Sequence, residues 1–129
     1  MAKKPPQIEL EGESIAFKAE QKYGFSVEIG LWGPSSGQFS HFNLNRYTRT
    51  RMMRVLREAI DGGVSLLPTN SNFGHYEAML LLTPEPDDPE YIWVKVLDCP
   101  DYKPSFEYLG LVKRSDLERL YDFIEKYAI

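Results

Sequence analysis

The sequence predicts an α+β fold in which an antiparallel β-sheet followed by one α-helix (ββββα-like) occurs twice, the two copies related by a pseudo-two-fold. Three observations support this. Apolar residues alternate with period two and then switch to a helical period, at Phe25–Leu44 into Met52–Ile60. The same order returns at Tyr91–Val112 into Leu117–Ala128. Finally, Phe25–Ile60 aligns without a gap on Ile92–Tyr127 at a constant offset of 67 residues, with identities at Val27/Val94, Phe39/Phe106, Leu44/Leu111 and Glu58/Glu125.

Taken in order, residues 1–7 read as a flexible tail, because Lys3-Lys4-Pro5-Pro6 carries no apolar rhythm. Ile15–Ala19 alternates as a first strand, and Lys22-Tyr23-Gly24 is a turn. Phe25, Val27, Ile29 and Leu31 then form a stripe ending at Trp32. Gly33–Gly37 is the clearest hairpin loop, and Phe39–Leu44 alternates again. From Asn45 or Thr48 a helix runs to Asp61-Gly62-Gly63, with Met52, Met53, Val55, Leu56, Ala59 and Ile60 on one side and Arg51, Arg54 and Arg57 on the other. Residues 64–75 read as the crossing between copies. Strands are expected at Tyr76–Leu82, Tyr91–Leu97 and Phe106–Val112, with loops at Pro84–Pro89 and Cys99–Pro104. Ser115-Asp-Leu-Glu118 has capping-box spacing at the start of the last helix. The expected organisation is one domain, 8–129, made of repeats 8–63 and 73–129.

Composition narrows the function classes. With 43% apolar and 26% charged residues, 129 residues can bury a real core. The one cysteine, Cys99, cannot form an internal disulfide, no apolar run reaches the roughly 20 residues of a membrane span, and the N-terminus has no signal-type stretch. An intracellular location, cytoplasmic or nucleoid-associated, is therefore expected. Net charge is −4, yet residues 1–64 hold nine Lys/Arg against seven Asp/Glu while the remainder hold six against twelve, so an anion site belongs on the first copy.

No Gly-x-Gly-x-x-Gly, Walker or Gly-x-Ser-x-Gly motif occurs, and His41, His75 and Cys99 lack zinc spacing. The expectation is a non-enzyme without metal or cofactor. If Val27, Ile29, Val94 and Val96 turn toward the helices, the pleat sends Trp32, Phe39, His41 and Trp93 outward, and the constant offset adds Phe106 and Tyr108. Flat rings beside Lys18, Lys22, Arg46 and Lys95 suit unstacked bases and their phosphates.

Phe25-Ser-Val-Glu-Ile-Gly-Leu-Trp32, a polar loop, Phe42-Asn-Leu-Asn45 and a helix ending Leu56-Arg-Glu-Ala-Ile60 resemble the sheet-plus-helix unit of the PUR, Whirly and transcriptional positive cofactor four group. That resemblance, spanning nearly all of residues 8–129, implies binding of single-stranded DNA or RNA on a curved sheet. Two readings stay open: single-stranded nucleic-acid binding by stacking on the aromatic face, and an acidic protein-interaction or inhibitory module that uses the same face for a partner or a homodimer. The arginine row (Arg46, Arg49, Arg51, Arg54, Arg57) suits phosphate or carboxylate, or is a solvated helix face, or makes an ionic contact with the acids around Asp122 in the same or another molecule.

Overall fold

A computed structural model describes residues 5–33, 37–70, 76–100 and 106–129; the side chains of 37–41, 68–70, 76–79, 97–100 and 106–108 lie outside the description. The order is β1 (Gln7–Glu11), β2 (Ala16–Lys22), β3 (Ser26–Gly33), β4 (Gly37–Leu44), α1 (Arg49–Ile60), β5 (Ser65–Asn70), β6 (Tyr76–Pro84), β7 (Tyr91–Pro100), β8 (Phe106–Lys113) and α2 (Arg114–Tyr127). Each set of four strands forms an antiparallel meander, β1-β2-β3-β4 and β5-β6-β7-β8. The expected strands-helix, strands-helix architecture is what the chain adopts.

Two edge strands were not read from the sequence as strands. β1 alternates Ile8 and Leu10 against Gln7, Glu9 and Glu11, and Leu10 is buried. β5 occupies the stretch expected as a crossing, so the second sheet begins at Ser65, ahead of the boundary expected at 73. Pro68 lies within β5, where proline is tolerated because one side of an edge strand's backbone needs no partner. Ser65 is buried and its hydroxyl donates to the Val55 carbonyl at 2.8 Å, fastening β5 to α1.

The turns follow residue chemistry where it is unambiguous. Tyr23 and Gly24 both have positive φ (57° and 77°), and Phe25 N–H donates to Lys22 O at 3.2 Å, closing the three-residue connection between Lys22 and Ser26. Gly62, at φ 95°, follows the C-cap of α1. Gly33 and Gly37 pair across the third hairpin, whose tip, residues 34–36, is outside the described residues. The capping box is not used. α2 begins at Arg114 directly after β8 and has no side-chain cap, while Arg114 N–H donates to Glu90 O at 2.8 Å instead.

Each helix reaches across to the other copy. α1 packs on β5, β6 and α2, whereas α2 packs on β1, β2 and β3 as well as β8. One continuous core results, built from Val27, Ile29, Leu31, Val94 and Val96 beneath Met52, Leu56, Leu117, Leu120 and Ile124. The sheets are also tied directly. Glu13 and Leu111 exchange backbone hydrogen bonds of 2.8 and 3.0 Å, and Ile129 N–H donates to Phe25 O at 2.8 Å.

The constant offset of 67 fails inside the repeat. Val27 pairs with Leu44, but Val94 pairs with Gly110, so the copy of Leu44 is Gly110 and not Leu111. The extra residue is a bulge in β4, where Gln38 pairs with Trp32 but Ser40 with Leu31, while β8 pairs with β7 without a shift; one residue inverts every position beyond it, since side chains alternate with period two. Tyr108 therefore stands opposite buried Val96 and Phe106 opposite Asp98, on the register face of buried Gly110 and Val112; the expectation that 106 and 108 share Trp93's face is corrected. Leu109 and Leu111 hold that face instead.

Candidate nucleic-acid interface

The outward face of the first sheet is organised around Trp32. One register row runs Glu11, Ala16, Trp32; the next runs Glu9, Lys18, Gly30, His41. Trp32 is partly exposed, and its six-membered ring leans onto Gly30: a Cβ built there would meet Trp32 Cζ3 at 2.4 Å and Cη2 at 2.5 Å. Gly30 thus supplies the space for the indole, and Ala16 leaves a shallow floor beside it. Between the ring and β1 lies an open cavity of about 270 Å³ lined by Glu9, Glu11, Ala16, Phe17, Lys18 and Trp32.

His41 occupies the register position opposite Gly30, hence Trp32's face; its side chain is outside the described residues. Phe39 falls at a bulge, because Ser40 pairs with Leu31 while Gln38 pairs with Trp32, and residue 39 has no single partner. Its side chain, like those of Phe106 and Tyr108, is not described. Lys18 sits next to the indole. Lys22 lies farther along β2, opposite Ser26, about 20 Å from the Trp32 row at ordinary strand rise, and its ammonium pairs with Glu20 at 3.5 Å. Arg46 follows the far end of β4, exposed, with its guanidinium 5.2 Å from the Tyr47 ring.

The second sheet presents a different surface. Leu66, Leu81, Lys95 and Leu109 form one row across all four strands, and Thr83, Trp93 and Leu111 form the next. Leu66 and Leu109 are each 50% exposed. Trp93 is half-buried, and its Nε1–H donates to the Glu85 carboxylate from the β6–β7 loop. The structure therefore brings Trp32, Lys18 and the His41 position together, sets Trp93 with Lys95 on an aliphatic second face, and separates Lys22 and Arg46 from both rings.

Several residues of this site were missed in the sequence: Glu9, Glu11 and Ala16 on the first face, and Leu66, Leu81, Leu109 and Leu111 on the second. The alternation in Gln7–Glu11 was the available signal for the first two. The basic row on α1 is divided as well. Arg57 donates to Asp61 at 2.9 Å, a bond that holds its guanidinium above its usual pKa, and Arg49 donates to the Ala128 carbonyl, while Arg51 and Arg54 point to solvent. Among the described residues no cluster of His, Cys, Asp and Glu could hold a metal ion, and no helix is long and apolar enough to cross a membrane.

No protein-family model matches the sequence, and no curated protein matches it. Solved structures do match its fold. A guide-RNA-binding protein complex bound to a guide RNA superposes with a TM-score of 0.61 at 14% identity, over 95% of this chain and 88% of that one. The MRP1/MRP2 structures of Trypanosoma brucei superpose with a TM-score of 0.59 at 15% identity, over 95% of this chain and 83% of theirs. At such identities the likeness is one of fold, and it extends across both repeats.

Proposed function

We propose that this chain is a non-enzymatic single-stranded nucleic-acid-binding protein, with RNA as the first candidate ligand, that receives its strand on the outward face of the first sheet. The observation that carries the reading is the partly exposed indole of Trp32 held on Gly30 beside Lys18, on a fold shared with guide-RNA-binding proteins. One such ring can contribute about 1–3 kcal/mol per stacked base, and a lysine next to it answers the phosphate. The resemblance to the PUR, Whirly and positive cofactor four group supports the same mode. The wider stacking role expected of Phe39, His41, Trp93, Phe106 and Tyr108 contracts, in this reading, to Trp32 with the His41 position, and Trp93 is secondary because Glu85 already engages its N–H.

The test is a titration of labelled single-stranded RNA and DNA oligomers into the protein with tryptophan emission recorded alongside. Quenching that disappears in Trp32→Phe supports the proposal. Absence of binding by every oligomer at low salt refutes it.

A second reading, a protein-interaction surface, is favoured by one observation only: the aliphatic row Leu66, Leu81, Leu109 on the second sheet, which offers bases no ring to stack on. It predicts association that survives high salt and is lost in Leu109→Ser.

A further inference from the structure

We infer that the cavity between Trp32 and β1 holds one unstacked guanine base of a bound single strand, read by the carboxylates of Glu9 and Glu11. This deepens the nucleic-acid reading above and rests on it. The cavity, about 270 Å³, is large enough for a single nucleobase and open to the face on which the strand would run. Its wall is the indole, a stacking surface. Its floor is the small side chain of Ala16. Its far edge is β1, two strands away from Trp32, which at ordinary strand spacing is roughly 10 Å: room for a purine plus a hydrogen bond.

The charge pattern selects the ligand. Glu9 and Glu11 are exposed and, among the described residues, engage in no ion pair or side-chain hydrogen bond, even though Glu9 stands directly opposite Lys18 in the register. Two free carboxylates on the cavity edge repel phosphate, so the group entering there is a hydrogen-bond donor. Carboxylates only accept. Among the bases, guanine alone offers two adjacent donors, N1–H and N2–H, on its Watson–Crick edge, which match the two oxygens of one carboxylate in parallel. Adenine and cytosine offer a single amino group there, and uracil a lone N–H between two carbonyls. A cationic peptide side chain is disfavoured because Lys18, in the row next to the indole, would repel it; the same ammonium suits the phosphate attached to a base seated on the ring.

The experiment uses the full chain and four nonamer RNAs: oligouridine, and the same strand with one central guanosine, adenosine or cytidine. Affinities are read by anisotropy, with tryptophan emission in parallel. The inference expects the guanosine strand to bind roughly 5- to 100-fold more tightly than the other three, as a good bidentate base contact confers. In Glu9→Gln/Glu11→Gln that preference falls to near unity, while oligouridine affinity is kept or rises, because two negative charges are gone. Both glutamates are exposed strand residues, so the substitution leaves the fold in place, which a melting curve checks. Equal binding of the four strands, or a preference that persists in the double variant, overturns the inference and leaves the nucleic-acid reading standing. Failure of all four strands at low salt overturns both, and quenching by an arginine-rich peptide without any by RNA reassigns the cavity to a basic segment and overturns it too.

Discussion

The indole of Trp32 rests on the bare Cα of Gly30, two residues before it on the same strand and on the same face. In a strand, residues two apart project side by side, so any side chain at position 30 competes with the ring for that space. Gly30→Ala is therefore a mild but directed change. The new methyl group meets the far end of a side chain that can swing, and the backbone at Gly30 has no positive φ to strain. The expected cost is under about 1 kcal/mol in denaturant unfolding, with a shift of tryptophan emission and weaker oligomer binding. Unchanged emission would show that the ring does not sit there in solution.

Trp32→Ala is expected to weaken single-strand binding by roughly 5- to 100-fold, which corresponds to the loss of one stacked base. Trp93→Ala is expected to weaken it by less than about threefold, since its indole is half-buried and its N–H is taken by Glu85. Anisotropy titrations of the two variants side by side check the ranking.

Lys18→Ala tests the electrostatic part. If its ammonium neutralises one phosphate, the slope of log K against log salt for single strands becomes shallower by about 0.7, with no change in base preference. The same substitution at Lys22, already paired with Glu20, is expected to change the slope less.

Gly110 and Gly12 carry structural weight. A Cβ at Gly110 would stand 2.3 and 2.4 Å from atoms of buried Ile15, and one at Gly12 would stand 2.3 Å from the Leu111 carbonyl. Neither neighbour is a free chain end, so Gly110→Ala and Gly12→Ala are each expected to destabilise the fold by about 1–3 kcal/mol or more, read from denaturant midpoints. They press on the Glu13–Leu111 bridge that joins the two sheets. Emission from Trp32 should stay as it was.

Most of the architecture was legible because the period of the apolar residues changes where the structure changes. Val27, Ile29 and Leu31 mark β3, Met52, Leu56 and Ile60 mark α1, and all are buried. Edge strands were less legible: β1 buries Leu10 with Ile8 only partly covered, and β5 contains a proline, so neither has the strong stripe of an inner strand. The candidate site was legible only in part. Trp32 and Trp93 were placed outward by a pleat argument that stays within one strand. Phe106 and Tyr108 were placed by carrying the pleat of β4 onto β8 through the repeat offset, where the one-residue bulge of β4 reverses the face. Glu9 and Glu11 were legible only as polar positions of an alternating stretch, because their place beside the Trp32 cavity depends on which strand lies next to β2, and that pairing is non-local.

The central claim is that the Trp32 face receives a single strand, and it is tested most directly by titrating a single-stranded RNA oligomer into Trp93→Phe protein, where Trp32 is the one remaining tryptophan. Saturable quenching whose midpoint moves to higher RNA concentration as salt rises is the predicted result. Tight binding measured by anisotropy with no change in Trp32 emission would place the strand elsewhere on the molecule and contradict the account.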